Sequence, residues 1–219
     1  MAIPTHISTT AAHGGSALAS IAVPPGATNG RDLIMTVVSS GQAAFTPPTG
    51  FVLVEETTWF FGSRDIRVYS KVAGPSESGT YDTAIPFSNW SVSLTVIDGN
   101  DGTTPVNDSV STSTDNATSF PTGSVTTTVA DCLLVAIWAG AFSANTLTID
   151  ATFTSRLAYE PAEEWIYVGT KSAASTGSYS ATGTTGSSDY YGAILIAVAP
   201  AGGGPPPSPP SQLMLMGVG

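Results

Sequence analysis

The chain has 219 residues and a formal net charge of −10, from six Lys+Arg against sixteen Asp+Glu. So few cations, scattered at Arg31, Arg64, Arg67, Lys71, Arg156 and Lys171, cannot neutralise a run of phosphates, which excludes nucleic acid and anionic membrane surfaces as partners. Hydrophobic residues make up 42% and charged residues only 10%, against about 25% in ordinary domains, so there is material for a core while Ser, Thr, Asn and Gly must carry the surface.

Met1 to His6 has neither a basic start nor an apolar stretch, so no signal peptide is expected, and no run approaches the ~18 apolar residues of a membrane span. Helix formers are sparse; Thr, Ser, Val, Ile and aromatics alternate with Gly, Pro, Asn and Asp turns, the pattern of sandwiches and barrels. After an upstream strand near 17–23, Asp32 to Gly41 reads as a long apolar strand. Gly50–Val54, Asp65–Val72, a short strand at Tyr81 and Ser91–Ile97 follow. The series then returns: a strand near 124–129, the run Asp131 to Gly140, Phe153–Leu157, Trp165–Lys171, Tyr179 and Ala193–Ala199.

Four segment pairs fall in the same order at offsets of about 100 residues. Asp32–Gly41 matches Asp131–Gly140, and Arg67–Lys71 matches Tyr167–Lys171. Ser78–Tyr81 matches Thr176–Tyr179, and Ser91–Ile97 matches Gly192–Val198. These matches predict an all-β, jelly-roll-like antiparallel β-sandwich over residues 1–200, built from two degenerate repeats at 17–99 and 118–199. One merged sandwich is expected over two stacked small ones, because a single core buries more. The apolar runs that open and close each repeat should be central, with the other sheet over one face.

Residues 201–211, rich in Gly and then Pro, cannot pack and read as a linker. Beyond them, Leu213, Met214, Leu215, Met216 and Val218 make an apolar tip that is hazardous unless it docks on a partner, so 212–219 is expected to be an anchor.

A search for chemistry finds little. His6 and His13 sit in a polar arm without nucleophile or metal-ligand spacing, and Cys132 lies inside an apolar run. The turn Asp98-Gly99-Asn100-Asp101-Gly102 offers oxygens but lacks an EF-hand's spacing and closing Glu. Glu55-Glu56 and Glu163-Glu164 read as solvated loop ends rather than a glycosidase pair. No catalytic residue, metal or cofactor is therefore expected, and the chain reads as a non-enzyme. Trp59, Phe60 and Phe61 cannot all point inward from one strand, so they are expected to offer a surface contact.

Asn29-Gly30-Arg31-Asp32-Leu33-Ile34-Met35, then Thr46-Pro47-Pro48-Thr49-Gly50-Phe51, then Val68-Tyr69-Ser70-Lys71-Val72-Ala73 resemble a β-sandwich module of tailed-bacteriophage and prophage virion proteins. That module has a Gly-Asp-Leu-Leu strand, a Thr-x-Pro-x-Gly-Trp loop and a strand ending in Lys-x-Ala. Here Phe51 replaces the usual Trp and Arg31 is inserted between Gly and Asp; the second repeat lacks the Thr-Pro-Gly loop. The resemblance spans roughly residues 15–200 and carries no catalytic set. It implies a virion structural protein on the particle exterior, decorating the capsid or associated with the tail, made in the host cytoplasm and attached through its C-terminal tail. Expected partners are other virion proteins and further copies of itself. The alternative is an adhesin module, of a tail fibre or a bacterial surface protein, that binds host surface glycans, with Trp59–Phe61 as its platform. The short chain, without a stalk, favours the capsid.

Overall fold

The computed structural model describes residues 2–15, 18–41, 45–85, 89–141, 146–161 and 163–202. The expected linker beyond Gly202 and the anchor residues Leu213, Met214, Leu215, Met216 and Val218 lie outside the described residues. Thirteen strands are described: β1 (Thr5–Gly14), β2 (Leu18–Ala22), β3 (Asp32–Ser40), β4 (Val52–Trp59), β5 (Arg64–Val72), β6 (Thr80–Ala84) and β7 (Trp90–Asp98) in the first half. The second half holds β8 (Val106–Thr127), β9 (Cys132–Gly140), β10 (Thr148–Ile149), β11 (Thr154–Tyr159), β12 (Trp165–Ala173) and β13 (Gly177–Val198).

Each half builds its own large antiparallel sheet. The first has the order β1-β7-β3-β5-β4, with a separate β2–β6 ribbon. The second has six strands: β8 and β10 both pair β13, and the path β8-β13-β9-β12-β11 parallels the order of the first. In place of a separate ribbon, the second half has the outer parts of its two longest strands. The 22-residue strands β8 and β13 bend, and their outer parts pair Thr127 with Gly177 and Ser119 with Thr184. Register shifts between Ser180 and Thr182, and a left-handed Gly123 (φ +77°), lie in these outer parts. Local detail also recurs: the Lys71 ammonium sits 5.6 Å from the Phe51 ring, and the Lys171 ammonium 5.6 Å from that of Phe153.

The two large sheets stack face to face, with β4 on β8, β1 on β11, β7 on β12 and β5 on β13. Equivalent strands thus exchange places across the interface, as in an isologous contact. A middle core lies between the sheets, including Ile34, Val38, Ile66 and Val68 from one and Ile137, Ile166, Val168 and Ile194 from the other. Two outer cores lie beyond it. One packs Leu33, Met35, Val37 and Leu94 with Ile21 of the β2–β6 ribbon, and the other packs Leu134, Trp138 and Leu195 with Phe120 and Val125.

The all-β class with antiparallel, stacked sheets is as expected; the jelly-roll detail is a separate matter. A jelly roll sends successive strands to alternate sheets; here each facing sheet takes strands from one half of the chain only. The apolar runs are also covered on both faces, not one. In β9, Cys132, Leu134, Ala136 and Trp138 point to an outer core while Leu133, Val135, Ile137 and Ala139 point to the middle one. Another difference is the polar arm, which is strand β1, paired along β7. There His6 meets the Thr9 hydroxyl at 2.9 Å and His13 the Ser91 hydroxyl at 3.2 Å. Cys132 is buried, and its thiol donates to the Val129 carbonyl.

Because the middle core belongs to both halves, the protein should unfold in one cooperative transition. Ile66→Ala and Ile166→Ala should each cost about 2–5 kcal/mol and move that single transition, as calorimetry with chemical denaturation would show. Two resolved transitions would mean that the halves fold independently.

Candidate interaction surfaces at the two poles

Strands β3 and β9 run between two ends of the stack, roughly 25–30 Å apart for nine-residue strands. At one end the two halves and the chain's exit are stitched together. The Asp101 N–H donates to the Ala199 carbonyl (2.9 Å), Ala199 N–H to Pro105 (2.7 Å) and Ala201 N–H to Gly99 (2.8 Å). Gly202, the last of the described residues, thus lies close to a fixed point, and this end is termed the tether pole after the linker expected from the sequence beyond it.

The Asp98–Gly102 turn lies at this pole, and its side-chain oxygens are engaged by protein donors. Arg31 holds Asp98 Oδ2 at 2.7 Å and keeps that carboxyl below its usual range, with the Gly99 N–H on Oδ1. Asn100 Oδ1 accepts the Asp32 N–H, and Asp101 Oδ1 caps Thr103 and Thr104. Among the described residues no group of three or more His, Cys, Asp or Glu is arranged to hold a metal ion. Beside the turn, the middle core is open: a groove of about 360 Å³ runs between β4–β5 and the segment 103–106, walled by Val52, Val54, Val72, Pro105 and Val106.

The opposite pole carries the aromatics. Trp59 is not part of the surface as expected: it is 2% exposed, in the middle core, against Gly192, where an added Cβ would lie 2.7 Å from the ring. The β4–β5 turn then places Phe60 (φ +51°) and Phe61 (φ +54°) both in the left-handed region. That conformation is costly for a bulky side chain, about 1–2 kcal/mol per residue. The turn is held by Gly62 N–H to Trp59 O (3.1 Å), Ser63 N–H to Phe60 O (3.0 Å) and Phe60 N–H to Asp115 Oδ1 (2.8 Å). Phe60 lies edge-on to Tyr190 at 4.6 Å, half-buried against the core. Phe61 is 85% exposed, 6.5 Å from Tyr190. Of the three aromatics singled out, Phe61 is the one presented to solvent; Tyr190 joins it from the other half, brought there by β13.

Beneath this tip lies a buried ion pair between the halves. Arg64 donates to Glu164, which is fully buried, and Asn89 donates to Glu163. Glu164 is thus not the solvated loop end that its sequence suggested. Arg64 and Glu164 each lie two residues before the matching Ile66 and Ile166, so opposite charges meet at equivalent positions of the two halves. Of the other two glutamates, Glu55 accepts from the Ser109 and Ser111 hydroxyls and Glu56 from Arg67. Nearby, Ser39 donates to the buried Asp65, which also pairs with Arg67 at 2.5 Å.

Burial pushes Glu164 up to about 7; Arg64 opposes the shift, while Glu163 and Asp65 add to it. Burial likewise pushes Asp32 and Asp65 up to about 6. No known family model, curated protein or solved structure matches the chain.

Carboxyls raised in the folded state take up protons that the unfolded chain, titrating near 3.8 and 4.5, has already released. Their stability contribution is complete below about pH 4 and is lost as pH rises through 6 to 7. Asp98 and Asp150, held low, act in the opposite direction under acid conditions. The melting temperature should therefore be highest near pH 5 and fall by several degrees towards pH 8. Glu164→Gln should flatten that fall. An equal slope in wild type and variant would exclude Glu164 as a source.

Proposed function

We propose that this chain is a non-enzymatic structural protein on the exterior of a tailed-bacteriophage particle, on capsid or tail, present in many copies and attached through residues 201–219. The observation that carries this reading is the polarity of the stack. The segment that reads as a tether leaves from a hydrogen-bonded pole, while Phe61 projects from the opposite one. A body held at one end and presenting a contact at the other is the geometry of a displayed module. The charge-poor, Ser/Thr/Gly-rich sequence and the virion-module resemblance at Asn29–Met35, Thr46–Phe51 and Val68–Ala73 point the same way. The engaged glutamates support a role without catalysis: Glu164, with 0% exposure, cannot reach a substrate.

Deleting residues 203–219 should leave the melting temperature unchanged and abolish incorporation into particles, read by immunogold labelling and particle composition. Full occupancy by the truncated protein would place the attachment on the sandwich instead.

One observation favours the second reading, an adhesin that binds host surface glycans: two strained phenylalanines hold an exposed ring beside Tyr190. Phe61→Gly relieves the left-handed strain, so it should raise the melting temperature slightly while removing the ring. On a glycan array, specific binding by wild type that disappears in this variant would establish the adhesin role. Absence of binding by wild type would leave the structural one.

A further inference from the structure

We propose that the groove at the tether pole receives residues 212–219 of a neighbouring copy of this chain. The inference rests on reading that segment as an intermolecular contact and names the surface that takes it.

The groove is the open mouth of the middle core. Val52 and Val54 of β4, Val72 of β5, and Pro105 and Val106 wall it, with Ser70, Thr103 and Thr104 also in its lining. Its volume, about 360 Å³, is at the low end of the roughly 300–1,000 Å³ of ligand sites. That accommodates a few side chains, which is what one face of an extended octapeptide presents. In Gln212-Leu213-Met214-Leu215-Met216-Gly217-Val218-Gly219, alternate residues put Leu213 and Leu215 on one face and Met214, Met216 and Val218 on the other. The segment carries no charged side chain, so it loses no ion hydration on entering, and methionine adapts to an irregular wall.

The backbone of β4 supplies the second half of the fit. It is the last strand of its sheet and, among the described residues, pairs with β5 alone. Val52 is 69% exposed and Leu53 45%, an apolar edge of the kind that proteins normally cover. An added strand covers it with main-chain hydrogen bonds while its side chains enter the mouth.

The occupant comes from another copy because of where the chain leaves. The Pro105 carbonyl that borders the groove accepts the Ala199 N–H, so each molecule's exit lies beside its own groove. The sequence Pro205 to Pro210, with five prolines in six residues, favours an extended spacer of about 19 Å at ~3.1 Å per residue. It carries the apolar residues away from the molecule's own groove and towards the next. The contact is heterologous, so it forms rings or chains of copies.

The test is sedimentation of the full chain from low to about 100 µM, with particle incorporation measured in parallel. Wild type should associate with increasing concentration. Val52→Glu, on the groove wall, and Met214→Ser/Leu215→Ser, on the segment, should each weaken association by about tenfold or more with unchanged circular dichroism. Ser155→Glu, on an exposed position of β11 in the other half, should associate as wild type does. Added free peptide 205–219 should dissociate wild type and act poorly on Val52→Glu. A wild-type chain that stays monomeric, or association untouched by both groove and segment changes, overturns the inference. If such a chain still needs residues 203–219 to enter particles, the functional reading stands and only the groove assignment fails.

Discussion

The central strands of each large sheet are buried on both faces, and that constraint organises the rest. A sheet with β9 or β13 at its centre must be covered twice. Neither half can do this alone, because its one ribbon covers only the outer face. The remaining faces cover each other, and the four-layer stack follows. Once the halves stack with aligned strands, their turns and the chain's exit segregate to two poles. The functional reading rests on that segregation.

The two inner faces are matched in position but not in chemistry. The second half presents Ile194, Ile196 and Val198, where the first presents Ser93, Thr95 and Ile97 at the same places on β7. Thr95 meets the Thr9 hydroxyl of β1 at 3.1 Å, whereas the Ser93 hydroxyl is buried without a hydrogen-bond partner, at a cost of about 1–3 kcal/mol. At the far margin the difference becomes complementary, with Arg64 against Glu164. A buried pair of this kind contributes little net stability, since desolvation offsets attraction, but removing either partner strands a buried charge. Its role is to favour one alignment of the halves over shifted ones, and that alignment brings Tyr190 against Phe60.

The tips of the stack are where local preference is overruled. Phe60 and Phe61 occupy a turn that glycine or asparagine would fill more cheaply, and the cooperative strands on either side hold them there. At the tether pole the sequence uses small polar groups for the same purpose. Asp98, Asn100 and Asp101 spend their oxygens on neighbouring N–H groups and on Arg31, which fixes the linker between the halves and the exit beside it.

Much of the fold was legible in the sequence because strand periodicity and turn residues are local signals. The all-β class and the long central strands follow from runs such as Leu33–Val38 and Leu133–Trp138. Strand β1 was not legible, because its Thr, Ala and His residues carry no apolar alternation; its edge position along β7 defines it. Local pattern could not tell a run buried on one face from one buried on both, so the count of layers was decided by tertiary packing. The same limit applied to the surface. Three adjacent aromatics announced that one must face outward, but only the left-handed turn chose Phe61 and sent Trp59 inward. Glu164 read as a solvated loop residue because its partner Arg64 lies a hundred residues away, and contacts at that separation exist only once the two sheets meet.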